Sequence, residues 1–203
     1  MTYLDWGLKY RPNSLEDVLM EGELKSRLSK LVSQKGGLSL LFWGRPGCGK
    51  TSVAKLINPE NTVFINCSTN NSIDTVRWIE SQFQAGVVTG GRRLLLLDEA
   101  DNLTPDAQAA IRAVSEELAI HNDFVLTAND PNKLSEAVRS RFLPVKFDLE
   151  KTEQITKELI DRMADIARKE GYGSVPEEHL KGIVERTFPD MRRMIKTLQL
   201  ELN

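Results

Sequence analysis

The sequence is poor in the residues that carry much of ordinary enzyme chemistry. It holds two cysteines and two histidines among 203 residues. Cys48 and Cys67 stand in no Cys-x-x-Cys pair and no Cys/His cluster. A disulfide framework and a structural zinc site are therefore not expected, and a reducing intracellular setting, cytoplasmic or nuclear, fits. His121 and His179 are solitary and far apart, which removes His-based nucleophilic catalysis and gives both structural or solvated roles. No apolar run approaches the ~20 residues that cross a bilayer. The segment Met1 to Gly7 lacks the basic start and apolar stretch of a secretory signal, so no membrane partner is expected. Charge of one sign is missing too: 27 Lys and Arg stand against 29 Asp and Glu. That balance excludes a wholly basic surface, and any nucleic acid must be gripped by a local patch. With 40% apolar residues and a net charge of −2, disorder is excluded. The length allows one or two domains with a real core.

What is present is an alternation of helix-like and strand-like segments. Apolar residues at Val18, Leu24, Leu28 and Leu31 suggest a helix over 15–32, stopped by Gly36-Gly37. Strands are expected at 38–43, 62–66, 94–97, 124–127 and 145–147, and helices at 51–57, 73–85, 106–118 and 131–138. A polar, glycine-rich stretch, Thr89 to Arg93, precedes the third strand. Leu94 to Leu97 is apolar at every position, which requires burial on both faces, as in the middle of a parallel sheet. Strands alternating with helices predict an α/β fold with an open, five-stranded, mostly parallel sheet. From about Leu149 only helical patterns follow, at 152–169, 177–187 and 190–202, so residues 1–148 are expected to form an α/β core and 149–203 a small helical domain.

Two motifs carry chemistry. Gly44-Arg45-Pro46-Gly47-Cys48-Gly49-Lys50-Thr51 fits G-x-x-x-x-G-K-[ST] between an apolar strand and a helix, which defines a phosphate-binding loop. Its glycines let backbone N–H groups turn inward around phosphate, and the following helix N-terminus adds positive potential. Gly44, Pro46, Gly47, Cys48 and Gly49, with Lys50, Thr51 and Ser52, are the expected nucleotide contacts. Lys50 is expected at the β- and γ-phosphates and Thr51 on Mg2+. The buried strand 94–97 then delivers Asp98 and Glu99 at its C-terminal end, where open α/β sheets bind ligands. Asp98 is expected in the Mg2+ shell. Glu99 is expected to polarise an attacking water, which argues for hydrolysis over binding alone.

The chain resembles the AAA+ ATPases, and among them the small subunits of clamp loaders of the replication factor C type, including phage versions. Four stretches carry the likeness: Trp6-Gly7-Leu8-Lys9-Tyr10-Arg11-Pro12, Leu97 to Gln108, Asn129 through Ser140-Arg141, and Pro189-Asp190-Met191-Arg192-Arg193. The resemblance implies a P-loop AAA+ core with a helical lid, and ATP and Mg2+ as cofactors. It implies hydrolysis inside a ring of clamp-loader subunits, with a sliding clamp and primer-template DNA as partners. It further implies that Asn129 orients the attacking water, that Arg192 touches phosphates in the same subunit, and that Arg141 is the finger inserted into a neighbour's site. Tyr10, Arg11, Pro12 and Val18 match positions lining the adenine, and Asn66 matches a polar restraint on Glu99. Ile73, Arg77 and Arg112 match positions facing DNA.

Two departures from the family pattern stand out. Phe142 replaces the usual Cys after Ser-Arg, and the segment before Ile73 is Thr69-Asn70-Asn71-Ser72 instead of an acidic-basic turn. The resemblance implies a helical collar after the lid, and at 203 residues the sequence is one domain short of that, as either a natural short form or a piece of a longer chain. Two other functions stay open at this stage: another AAA+ machine, such as a helicase loader or Holliday-junction motor, and a nucleotide-dependent assembly module with little hydrolysis of its own.

Overall fold

The computed structural model describes residues 5–33, 37–85 and 92–203. Gly36 and Thr89 to Gly91, two of the expected punctuation points, lie outside the described residues. The chain forms two compact units. One comprises residues 22–44 and 50–147; the other comprises 1–21, 45–49 and 148–203.

The first unit is built on five parallel strands: β1 (Ser39–Gly44), β2 (Thr62–Asn66), β3 (Arg93–Asp98), β4 (Asn122–Ala128) and β5 (Leu143–Phe147). Their order is β2-β3-β4-β1-β5, and all four neighbouring pairs run parallel. Burial follows that order. Every residue of the central β4 is buried, and Leu94 to Leu97 of β3 are at most 1% exposed. Each such leucine is worth about 1.5–3 kcal/mol of burial. The edge strands are more polar. β5 carries Pro144, which only an edge accommodates, and on β2 the Lys55 ammonium lies 4.1 Å from the Phe64 ring centroid.

The helices of this unit are α2 (Gly22–Ser33), α3 (Lys50–Ile57), α4 (Ile73–Ala85), α5 (Pro105–Glu117) and α6 (Glu136–Arg141). Ile79 and Phe83 of α4, Ile111 and Val114 of α5, and Val138 of α6 share one core with Leu95, Leu97 and Leu126. Thr104 caps α5 by accepting from the Ala107 N–H, and Pro105 occupies the first position, where a missing N–H costs nothing.

In the second unit α7 (Glu153–Lys169), α8 (Glu177–Thr187) and α9 (Met191–Leu202) pack together with the short N-terminal α1 (Trp6–Lys9). Trp6 is buried in their core beside Leu159, Met163, Leu180, Ile183 and Leu198. Polar tethers hold α1 in place. The buried Trp6 N–H donates to Gln199 Oε1 at 3.0 Å, Lys196 pairs with Asp5 at 3.0 Å, and Lys9 and Tyr10 both donate to Glu170 at 2.5 Å.

Three elements differ from the sequence-based expectation. The helix expected from residue 15 begins at Gly22. Asp17 instead accepts from the Asn13 and Ser14 N–H groups and the Ser14 hydroxyl, closing a turn, and its carbonyl accepts from Arg162 at 2.5 Å. The expected helix at 131–138 splits into a 3-10 turn, Pro131–Lys133, and α6. Asp130 caps the first and Ser135 the second, and two caps five residues apart break a helix in two. The short α1 was not expected at all, since four residues show no periodicity.

Candidate functional site

The C-terminal ends of β1, β3 and β4 bring the chemistry together, because the strand order puts β4 between β3 and β1. Lys50, the first residue of α3, is buried. Its ammonium donates to the Gly44 carbonyl at 2.8 Å and to Asn129 Oδ1 at 3.0 Å. The next residue, Thr51, donates its hydroxyl to Asp98 Oδ1 at 2.6 Å. Thr127, on β4, donates to the same carboxylate oxygen at 2.7 Å and accepts from the Glu99 N–H at 3.0 Å. Lys50, Thr51, Asp98, Glu99 and Asn129, drawn from three separate stretches of sequence, thus fall into two adjoining hydrogen-bonded sets, Lys50 with Asn129, and Thr51 with Asp98, Thr127 and Glu99.

Glu99 stands at the turn after β3 with φ 57°, the only left-handed residue other than glycine among the described residues. A side chain there costs roughly 1–3 kcal/mol, a strain that clusters at functional sites. Its carboxylate is met by the hydroxyl of Ser68. Asn66, expected to restrain Glu99, acts one step away: its amide oxygen accepts from the Ser68 N–H at 2.8 Å. Cys67, between them, is fully buried, and burial together with the charges of Asp98, Asp101 and Glu99 pushes its thiol up to about 12. It stays protonated and is no nucleophile.

Two glycines of the phosphate loop are required by geometry. A Cβ on Gly44 falls 2.2 Å from the Phe147 carbonyl oxygen, and one on Gly47, at φ +74°, falls 1.9 Å from Asp190 Oδ1. Residues 45–49 group with the helical unit, and Met191 N–H donates to the Gly47 carbonyl at 3.3 Å. Of the positions expected around adenine, Val18 is buried, with Cγ1 3.7 Å from the Cβ position of Gly49. Tyr10 is held by Glu170; burial and then that carboxylate push its hydroxyl up to about 12. Pro12 is half-buried and Arg11 exposed. Arg192 is exposed in the first turn of α9, and its Cγ lies 3.6 Å from the Cβ position of Gly7.

Arg141, the expected finger, lies back on its own subunit. Its guanidinium donates to the Ser115 carbonyl at 2.9 Å, and its Nε is buried without a partner. The expected DNA-facing residues lie on α4 and α5, but neither arginine is free of pairing: Arg77 pairs with Asp74 at 3.1 Å and Arg112 with Glu116 at 2.9 Å. Ile73 is half-buried at the start of α4. Exposed pairs of this kind contribute about 0–1 kcal/mol, so phosphate can displace them.

Three residues of the cluster, and Gln108 of α5, were given no role from the sequence. Ser68 gave no signal. Thr127 is a hydroxyl at the end of an otherwise apolar run, which is a signal. Asp101 accepts from the N–H groups of Asn129 and Asp130, both at 3.2 Å, and so fixes the turn that presents Asn129. Gln108 is buried, donates to the Leu103 and Lys133 carbonyls and accepts from Ser135 N–H. It locks α5 to the segment leading into α6.

For a cofactor, the donor set is the test. Thr51 and Asp98 offer adjacent hard oxygens, the ligand type of Mg2+, which takes one or two protein oxygens and completes its shell with phosphate and water. No cluster of three His, Cys, Asp or Glu suited to a metal occurs among the described residues, so an all-protein metal cage is not seen there. Nor is any described helix long and apolar enough to cross a membrane.

This geometry, a phosphate loop after β1, a carboxylate pair after β3 and an Asn after β4, agrees with the family match. Residues 40–148, more than half of the chain, match the ATPase family associated with various cellular activities (AAA), and the chain belongs to that family. Within it, the chain is similar over nearly its whole length to replication factor C small subunits. It is 36% identical to small subunit 2 of Pyrobaculum islandicum, over 98% of this chain and 64% of that protein. It is 35% identical to the small subunit of Staphylothermus marinus, over 96% of this chain and 60% of that protein. The chain therefore spans about three-fifths of the length of these relatives. The Thermotoga maritima RuvB Holliday junction branch migration motor shares the fold, with a TM-score of 0.73 at 22% identity, over 93% of this chain and 64% of that one.

Proposed function

We propose that this chain binds Mg2+-ATP and hydrolyses it as part of a clamp-loader small subunit, placing a sliding clamp on primer-template DNA within a ring of like subunits. The observation that carries the proposal is the convergence of Lys50 with Asn129 and of Thr51 with Asp98, beside a strained Glu99. The AAA membership and the likeness to replication factor C small subunits supply the setting.

The roles follow from the chemistry of each group. Residues 44–52 present backbone N–H groups and the Lys50 ammonium to the β- and γ-phosphates. Lys50 exchanges the Gly44 carbonyl for phosphate oxygen. Thr51 and Asp98 would hold Mg2+, which would offset the charge developing on the phosphates. Glu99 takes a proton from the attacking water, and Asn129 orients that water. Release of Glu99 from Ser68 is the step that frees its carboxylate. Arg192 spreads charge over phosphate oxygens in its own subunit, and Arg141 leaves the Ser115 carbonyl to do so in a neighbour's site. Tyr10, Arg11, Pro12 and Val18 border the base. The α/β unit serves as the nucleotide-binding core and the helical unit, which includes residues 1–21 and 45–49, as its lid. Ile73, Arg77 and Arg112 track DNA phosphates. Replication makes the protein an intracellular one.

The test is ATP turnover by the chain assembled with its partner subunits, clamp and primer-template DNA. Wild-type turnover rises when clamp and DNA are added, and Arg141→Ala lowers it without changing nucleotide affinity. Turnover indifferent to clamp and DNA would overturn the clamp-loader reading.

A further inference from the structure

Asp190 has two separate engagements within the helical unit. Its Oδ1 accepts from the Arg193 N–H at 2.9 Å, capping the first turn of α9, the turn that carries Arg192. The same oxygen occupies the space beside Gly47 that any side chain there would need, with Asp190 Cγ 2.3 Å and Cα 3.0 Å from that Cβ position. One residue on, the Met191 N–H, left without an intrahelical partner at the helix start, donates to the Gly47 carbonyl at 3.3 Å. The residue before it in the fold's hydrogen-bonding, Thr187, accepts from the Asp190 N–H at 2.9 Å and anchors the bend to α8.

We infer that Asp190 is a positioning residue for nucleotide binding: it locks the tip of the phosphate loop to the first turn of α9, so that Arg192 is set at a fixed place relative to the phosphates. The inference rests on the nucleotide-binding role proposed above. The pairing is specific. Only glycine at position 47 lets the carboxylate approach, and only an oxygen-bearing side chain at 190 both fills that space and caps the helix. The phosphate-loop pattern leaves position 47 unspecified, so that motif alone does not call for this contact.

The experiment combines fluorescent-ATP titration in Mg2+ with hydrogen exchange of residues 45–49, on the full chain with Asp190→Ala, Asp190→Asn, Arg192→Ala and the double Asp190→Ala/Arg192→Ala. Asp190→Ala is expected to weaken affinity about tenfold, the size of coupling between contacting residues. Asp190→Asn, an equally good cap of the same shape, restores wild-type affinity. The double variant binds no more weakly than Arg192→Ala, because Asp190 acts through that arginine. Loop exchange rises in Asp190→Ala but not in Arg192→Ala. Additive losses in the double variant, or unchanged loop exchange in Asp190→Ala, overturn the inference. If the wild type fails to bind ATP, the nucleotide reading falls, while the exchange comparison still decides whether Asp190 holds the loop.

Discussion

The two compact units reach stability by different routes. The α/β unit is written in long buried runs: four consecutive leucines in β3 and seven consecutive buried residues in β4, apolar at its middle. Its polar groups sit at strand ends, where the sheet holds them within hydrogen-bond reach of one another. The helical unit draws on three separate stretches of chain, and its first helix is only four residues long. That helix stays in place through Trp6 burial and named polar tethers to Gln199, Lys196 and Glu170. A sheet positions functional groups by topology. A small helical unit positions them by individual contacts, and single substitutions should expose the difference.

The largest effects belong to the sheet-end cluster. Lys50→Ala and Glu99→Gln should each lower ATP turnover by about 10²–10⁴, the range for removal of a phosphate-binding or general-base group. Steady-state hydrolysis by the assembled subunit checks this; loss in one variant only would separate binding from chemistry. Next is the sheet itself. Leu96→Ala opens a cavity at a fully buried site in β3 and should cost about 2–5 kcal/mol by denaturant unfolding. A smaller loss is expected in the helical unit. Gln199→Leu leaves the buried Trp6 N–H without its acceptor, at about 1–3 kcal/mol. If that substitution proves as costly as Leu96→Ala, the contrast between the units fails.

The division between what was legible in the sequence and what was not follows the same line. β3 and the phosphate loop were plain, because a four-residue apolar run and a complete motif admit few arrangements. Asp98 and Glu99 followed from their place at the end of that run. By contrast, the start of α2 was misplaced, because Val18 mimics helical spacing while the Asp17 turn belongs to the other unit. Nothing local in Trp6 to Lys9 announces a helix, since its partners lie some 160–190 residues away. Ser68 was missed for the same reason: its contact with Glu99 is made across two strands, and a lone serine after a strand carries no signal.

Smaller effects probe the tethers by pH. Tyr10 is held protonated, with its hydroxyl pushed up to about 12 by burial and then by Glu170. A raised folded value means this contribution is fully present below the ordinary tyrosine range near 10 and is lost as pH rises toward 12. Tyrosinate absorbance should show a late-titrating component that is lost in Tyr10→Phe. At the acid end, the Glu170 carboxyl is held below its ordinary value by Lys9 and then by Tyr10. That contribution is present above the ordinary glutamate range and fades as pH falls through the lowered value. The smallest change is expected on α4: Arg77→Ala should reduce the salt dependence of DNA binding by about one unit of slope, as for a single phosphate contact.

Lys50, Thr51, Asp98 and Glu99 are proposed to form one nucleotide site with separate duties. Calorimetric titration of ATP into the full chain, with and without Mg2+, tests it most directly. Wild type and Glu99→Gln should bind with similar affinity, Mg2+ should strengthen binding in both, and Asp98→Asn should abolish that Mg2+ gain. Lys50→Ala should not bind. Undiminished binding by Lys50→Ala, or a Mg2+ gain that survives Asp98→Asn, would contradict the assignment.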